Sequence, residues 1–389
     1  MSPSSQPATS ASTSSPGSAR SDSARELPGI RAARLEQPAS ALLVKEIAAP
    51  VLPPDGVRIR VLAAQVLPFS HSVLAGDFPF PLPTPYTFGS SAVGIVEEVA
   101  SGITGLTEGA LVFCDPYLPG DQPDGTRTPM IIGWFALSDA AAELQSRWRD
   151  GAFAEQAVYP ALCCTPLQSL ETTRVEQLAC LNYLNIAYGG LLRGALRPGE
   201  SVIVTGATGN LGAGAVLAAL AMGAGEVIAA GRNGQVLQDL VHVDPDRIRA
   251  VELSGDATAD AAGFSDALQL KGSLGADLAL DCVGLTDRPE HLSVAVAALN
   301  RGGRLVCIGG VNAPIPLDYQ TVLGMELTVC GSFMGPRTGP AELASLARAG
   351  LLKLDALRPQ TFLLDQINAA IDAARNNRGL DFTVLSIDQ

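Results

Sequence analysis

The sequence predicts an α/β protein of two domains, with a β-rich domain first and a doubly wound parallel sheet after it. Three observations predict this. A chain of 389 residues is too long for one ordinary core and suits two. From about residue 30 to 167 the chain runs in short apolar stretches broken by Pro and Gly, whereas from 168 onward apolar strands alternate with Ala/Leu-rich helical segments. Finally, a glycine-rich turn at 206–212 sits between an apolar strand and an apolar helix.

Composition supports a folded protein and narrows its partners. Hydrophobic residues make up 47% of the chain and charged ones 17%, the balance of a globular protein. A net charge of −13 repels phosphodiester backbones and anionic lipid, which leaves no nucleic acid and no membrane as partner and points to a small molecule. No apolar run reaches the roughly 18 residues that cross a bilayer, and the N-terminus lacks a basic-then-apolar order, so the expected location is cytoplasmic. The cysteines at 114, 163, 164, 180, 282, 307 and 330 are odd in number, sit in apolar stretches and form no CxxC pair. Reduced, packed thiols are expected, and a paired-cysteine zinc lobe is not.

Taken in order, residues 1–24 are Ser, Pro, Ala and Thr with almost no large apolar side chains, which predicts a disordered tail. Arg20 and Arg25 and the scarcity of acids leave an organelle transit peptide as the alternative. Residues 25–167 form the β-rich domain, with strands at 57–62, 92–96 and 110–113 arranged in hairpins and a barrel. A stretch at 115–150 bearing Trp134 and Trp148 interrupts it. Residues 168–315 carry the doubly wound sheet, with strands at 201–205, 226–230, 277–281 and 304–308 and helices at 211–222, 235–241 and 290–299. Residues 316–389 add a strand at 326–329, helices at 341–349 and 366–375, and a last strand at 382–387.

The sharpest signal is Thr205-Gly206-Ala207-Thr208-Gly209-Asn210-Leu211-Gly212, which closes one strand and opens a helix. Backbone N–H groups and the positive helix end there can face a pyrophosphate; Gly209 leaves room for it and Gly212 lets the helix lie on the strand. The second strand ends Gly231-Arg232-Asn233. Gly231 stands where an NAD site would put an acid for the ribose hydroxyls, and Arg232 can make paired, charge-assisted bonds to a 2′-phosphate. The expected cofactor is therefore NADP(H); the alternative for Arg232 is a solvent-facing arginine at a strand end. The same glycine phrase resembles the opening of short-chain dehydrogenases. About two hundred residues precede it here, and the Tyr-x-x-x-Lys pair of that family is missing, since Tyr319 is followed four residues later by Leu323.

An ordered set of landmarks gives the family resemblance. Gly76-Asp77-Phe78 is followed by the proline-rich 79–85, Gly89, the run Val93 to Val99, Asp150 to Glu155, Ala187-Tyr188, the glycine turn, Asp281-Cys282-Val283-Gly284, and Gly302-Gly303-Arg304-Leu305. In this order they make the chain from about residue 42 onward resemble the medium-chain dehydrogenase/reductase superfamily, especially its quinone-oxidoreductase-like and enone-reducing members. The resemblance implies a GroES-like catalytic domain, a Rossmann domain inserted into it and a C-terminal return. It also implies that the nicotinamide end lies against Val283, Gly309, Gly310 and Val311, with a plain turn as the alternative role for the two glycines. The segment 327–330 is implied to pair with its twin in a homodimer.

At the places where the family's alcohol dehydrogenases hold zinc, this chain has Leu67, Gly89-Ser90-Ser91 and Asn182. Cys180 is close by, His71 is the catalytic domain's histidine, and His242 and His291 fall in the Rossmann segment. No zinc is expected. Without a Lewis acid the easier chemistry is hydride addition to the β-carbon of an activated C=C bond or to a quinone, which makes the expected substrate a small hydrophobic conjugated carbonyl or quinone. The reductases' Asn-Pro-x-Asp reads Leu67-Pro68-Phe69-Ser70 here, and Phe78 replaces a tyrosine that some enoyl reductases carry. The candidate proton donors are Ser70, His71, Tyr86, Ser90 or water, with turn or packing roles as the alternative for each. Phe69, Phe78, Phe80, Tyr86 and Trp134 can line an apolar pocket or fill a core. A zinc-free alcohol or carbonyl dehydrogenase and a non-catalytic NADPH-binding protein are the alternative functions.

Overall fold

Val57, Ile59 and Val61 alternate along the strand Gly56–Val66 and are fully buried, which makes this strand the centre of the first domain. It pairs antiparallel with Ala92–Val99, Gln156–Pro160 and Asp381–Ser386. The seven-stranded sheet runs Cys164–Pro166, Leu111–Cys114, Ala92–Val99, Gly56–Val66, Asp381–Ser386, Arg358–Leu363, with Gln156–Pro160 beside the central strand. Two of these strands come from the end of the chain, so the first domain closes only when the C-terminus returns to it. A smaller sheet of Leu43–Ala48, Gly29–Leu35 and Tyr86–Thr87 covers one side. The sequence pattern predicts no strand at Gly29–Leu35 because Arg31 and Arg34 break its apolar run; Arg34 is held in place by Asp150 at 2.9 Å.

This computed structural model describes residues 29–168, 170, 175–269 and 274–387. The tail expected at 1–24 lies outside them. Among the described residues no helix is long and apolar enough to cross a membrane.

The second domain is a six-stranded, wholly parallel sheet in the order Ile248–Glu252, Glu226–Gly231, Ser201–Thr205, Ala276–Asp281, Leu299–Cys307, Thr328–Gly331. Every residue of Ser201–Thr205 is buried, as a central parallel strand covered by helices on both faces requires. The strand order reverses between Ser201–Thr205 and Ala276–Asp281, the crevice where such sheets bind ligands. The residue pattern misses Ile248–Glu252, whose Arg249 and Glu252 interrupt an edge strand, and the polar helix Ala257–Gln269. The strand expected at 326–329 begins two residues later, because Glu326 takes a φ of +53° in the preceding turn. The stretch 115–150 carries the short strands Tyr117–Leu118 and Met130–Ile131 and the helix Ala142–Arg147.

Candidate cofactor and substrate site

Hydrogen bonds and close backbone packing define the cradle at the carboxyl edge of the parallel sheet. Gly206 leaves its strand with a φ of +69°, and a Cβ there would sit 2.8 Å from the Val283 nitrogen. The Ala207 N–H donates to the Ala230 carbonyl at 2.9 Å, tying the turn to the next strand. Gly209 caps the helix Asn210–Ala221, and a Cβ on it would meet only the Gly206 carbonyl at 3.5 Å, so the space before this helix end is open. Gly212 has no such freedom: a Cβ would lie 2.2 Å from the Gly206 carbonyl oxygen. The structure thus brings the predicted residues into a strand–turn–helix cradle whose free N–H groups suit a pyrophosphate.

Side chains within this set have separate duties. Asn210 turns away from the cradle and donates to the carbonyls of Gly379 at 2.9 Å and Asp381 at 2.7 Å, while Gly379 N–H donates to the Thr208 carbonyl at 2.8 Å. The C-terminal return is therefore stapled to the glycine turn, a link no local pattern reveals because the partners are about 170 residues apart. Leu211 is half-buried and packs against the core. Asn233 caps the helix Gly234–Val243 by accepting from the Val236 N–H at 3.2 Å, and Arg232 is exposed beside it.

The Thr205 hydroxyl donates to Asp281 Oδ1 at 2.7 Å, and His291 Nε2 meets the same oxygen at 3.0 Å. Asp281, 2% exposed, so locks the carboxyl ends of two neighbouring strands. The sequence carries the signal in Asp281-Cys282-Val283-Gly284, but His291 lies ten residues on and has none. Next to it, Gly310 N–H donates to the Val283 carbonyl at 2.8 Å, and Val311 bridges Thr286. Val283, Gly309, Gly310 and Val311 meet at one place, at the mouth of the crevice.

On the catalytic-domain side, Gly89, Gly133 and Gly151 pack backbone to backbone. A Cβ on either of the last two would fall 1.7 Å from the Gly89 carbonyl oxygen. This contact delivers Trp134 from the 115–150 segment to the neighbourhood of Ser90. Trp134 meets Phe69 edge-on at 5.3 Å and Phe88 at 6.4 Å; Phe88 meets Tyr86 at 6.2 Å, and Phe135 joins Phe78 and Phe80 at 5.5 and 5.1 Å. The predicted aromatics therefore form one continuous cluster.

The candidate donors fare differently. His71 sits on the short helix Ser70–Ala75 with Nδ1 3.0 Å from the Pro68 carbonyl and Nε2 3.3 Å from the Ser72 hydroxyl, so both ring nitrogens are engaged within their own turn. Ser70 is buried at the start of that helix. Tyr86 is enclosed in the core, and burial, then Asp150, pushes its hydroxyl pKa far up. Ser90 is 2% exposed, and among the described residues its hydroxyl has no hydrogen-bond partner, nor do the hydroxyls of Ser91 and Tyr86 or Trp134 Nε1. Sequence reasoning also gives no sign of Asp115, which accepts from the Tyr117 N–H and from Asn185 Nδ2, each at 2.8 Å. Burial pushes its carboxyl up to about 6, against the pull of those two bonds.

The side chains do not fit a catalytic zinc. Leu67 is buried and has no donor atom, Ser90 and Asn182 are neutral, and Cys180 bonds to the Glu176 carbonyl at 3.4 Å. Among the described residues, no group of three or more His, Cys, Asp or Glu could hold a metal ion.

Comparison with known proteins agrees with the fold. The alcohol dehydrogenase GroES-like domain family matches residues 53–169, and the zinc-binding dehydrogenase family matches residues 211–349. An NAD-dependent alcohol dehydrogenase of Saccharolobus solfataricus is 27% identical over 368 residues, 92% of this chain and 99% of that protein. L-idonate 5-dehydrogenase of Vitis vinifera is 24% identical over 82% of this chain and 83% of its own length. The solved structure of a thermostable alcohol dehydrogenase from Pyrobaculum aerophilum superposes with a TM-score of 0.71 at 26% identity, covering 92% of this chain and all of that one. With a GroES-like domain, a zinc-binding-dehydrogenase domain in Rossmann form and the matching two-domain architecture, the chain has the two-domain fold of the medium-chain dehydrogenases/reductases.

Proposed function

We propose that this protein is a nicotinamide-dependent oxidoreductase that interconverts an alcohol and a carbonyl compound without a catalytic zinc. The observation that carries the reading is a dinucleotide cradle closed to side chains at Gly206, Gly212 and Gly309, facing a catalytic domain whose zinc-ligand places hold Leu67, Ser90 and Asn182. The NAD-dependent alcohol dehydrogenase and L-idonate dehydrogenase relatives support the alcohol–carbonyl couple over the conjugated-bond chemistry expected from the sequence. When bound, the nicotinamide supplies or accepts the hydride. The glycine turn and the helix after it bind the pyrophosphate, Arg232 favours a 2′-phosphate, and the strand ends at 283 and 309–311 orient the ring.

In this reading the substrate oxygen must be held by the protein's own donors. Ser90 suits that role because its hydroxyl, without a partner among the described residues, can donate without breaking an existing bond, and unlike the equally unpartnered Tyr86 it stands at one of the zinc-ligand places. In the aromatic cluster Phe69, Phe78 and Phe80 are only partly buried, and they are the rings that would offer an apolar wall to a substrate. Reduction of an enone or quinone is the second reading, favoured by the same lack of a metal-ligand set, since conjugate hydride addition needs less activation at oxygen. A panel of alcohols with NAD⁺ and NADP⁺, and of ketones, enones and quinones with the reduced cofactors, tests both. Turnover confined to alcohols and simple carbonyls supports the first reading, and turnover confined to enones or quinones overturns it.

A further inference from the structure

A side chain at position 231 would press on Thr208. A Cβ on Gly231 would lie 2.6 Å from Thr208 Cγ2 and 2.9 Å from Thr208 Oγ1, so the side chain of the glycine turn already occupies that space. The usual place for a carboxylate that reads ribose hydroxyls is therefore a glycine here, with Thr208 in the space beside it. On the neighbouring parallel strand, the residue in register with Gly231 is Glu252. Its carboxylate folds over the start of the helix Gly234–Val243: a Cβ built on Gly234 would be 2.5 Å from Oε2 and 3.5 Å from Oε1. Glycine at 234 is what leaves room for it.

Glu252 and Arg232 are both exposed, and among the described residues neither has a hydrogen-bond or ion-pair partner. A carboxylate and a guanidinium thus stand at the carboxyl ends of adjacent strands around Gly231, each with its full bonding capacity open to a ligand. Their preferences oppose one another. A carboxylate accepts from a ribose diol and repels a phosphate, whereas a guanidinium pairs with a phosphate and gains little from a diol.

We propose that Glu252 is a specificity-determining residue for the adenosine ribose: it takes the diol-reading role that Gly231 does not fill, and it offsets Arg232 so that the site accepts both NAD(H) and NADP(H). This rests on the dinucleotide-binding reading above. The test is the pair of dissociation constants for NAD⁺ and NADP⁺, measured by calorimetry on the full chain, so that turnover is not needed. Glu252→Gln is expected to raise the NADP⁺-over-NAD⁺ affinity ratio by about tenfold, the size of one lost hydrogen bond to a charged group. Gly234→Ala, which keeps the charge but displaces the carboxylate, should move the ratio the same way by less, and Arg232→Ala should move it the opposite way. A ratio within about twofold of wild type in Glu252→Gln, with Arg232→Ala still shifting it, overturns the role of Glu252 and leaves the dinucleotide reading standing. If the wild-type chain binds neither dinucleotide, that reading falls and the proposal with it.

Discussion

The backbone of Gly309 lies directly against the Val283 carbonyl: a Cβ on residue 309 would sit 2.2 Å from that oxygen. Neither partner is a flexible side chain, so two strand ends would have to separate to admit even an alanine. Gly309→Ala is expected to destabilise the fold by roughly 1–3 kcal/mol, the usual cost of overpacking, and to lose the melting-temperature rise that a bound cofactor gives. Gly310→Ala should be much milder, because its Cβ would meet the Leu285 nitrogen at 3.1 Å. Thermal melts of both variants with and without cofactor check this contrast.

Arg232 is exposed at the end of the second strand and has no ion-pair partner among the described residues, so removing it costs the fold little. Arg232→Ala should weaken NADPH by about 1.5–3 kcal/mol, the range for a hydrogen bond to a charged group, and leave NADH almost unchanged. Titration of each cofactor measures it; equal losses for both would remove the phosphate-binding role.

Asp115 gives a pH dependence with a definite sign. Its carboxyl is pushed up to about 6 by burial, above the ordinary value of 3.8, so between these values the folded chain holds a proton that the unfolded chain has released. Its contribution to stability is therefore greatest below pH 3.8, is lost as pH rises through 6, and is flat above about 7. The stability of wild type minus that of Asp115→Asn should fall across this window. Denaturant midpoints measured from pH 4 to 8 check it, and a flat difference would place the carboxylate in water.

The edge strand Thr328–Gly331 exposes Val329, with Tyr319, Leu323 and Phe333 exposed close to it in sequence. Pairing of this strand with its twin across a two-fold axis would cover the open edge. Light scattering at micromolar concentration should give a dimer mass, and Val329→Lys, which places a charge on the edge, should give a monomer. A monomeric wild type removes the dimer.

The cofactor domain is the more legible half of the sequence for a physical reason. Ser201–Thr205 is buried at every residue and Ala276–Asp281 at every residue but Asp277, so burial writes both largely in apolar residues, and the glycine turn between strand and helix is local. The edge strand Ile248–Glu252 meets the sheet on one side only and tolerates Arg249 and Glu252, which hides it. In the site, Gly212 is readable because its close approach is to Gly206, a near neighbour in sequence, whereas the approach of Gly206 to Val283 is tertiary. The contacts of Thr208 with Gly231, of Asn210 with Gly379 and of Gly89 with Gly133 are set by tertiary packing and have no local signature. The donor positions are least legible: His71 spends its ring nitrogens on Pro68 and Ser72, whereas Ser90, like Tyr86, carries a hydroxyl that folding leaves buried and without a partner among the described residues.

The most direct measurement is turnover of an alcohol by protein stripped with a strong chelator, read together with its zinc content. Leu67, Ser90 and Asn182 cannot assemble a four-ligand site, so alcohol-dependent reduction of NAD⁺ or NADP⁺ should persist at full rate with far less than one zinc per chain. One tightly bound zinc per chain, lost to the chelator together with turnover and restored with it, would show that this protein works as a zinc enzyme after all.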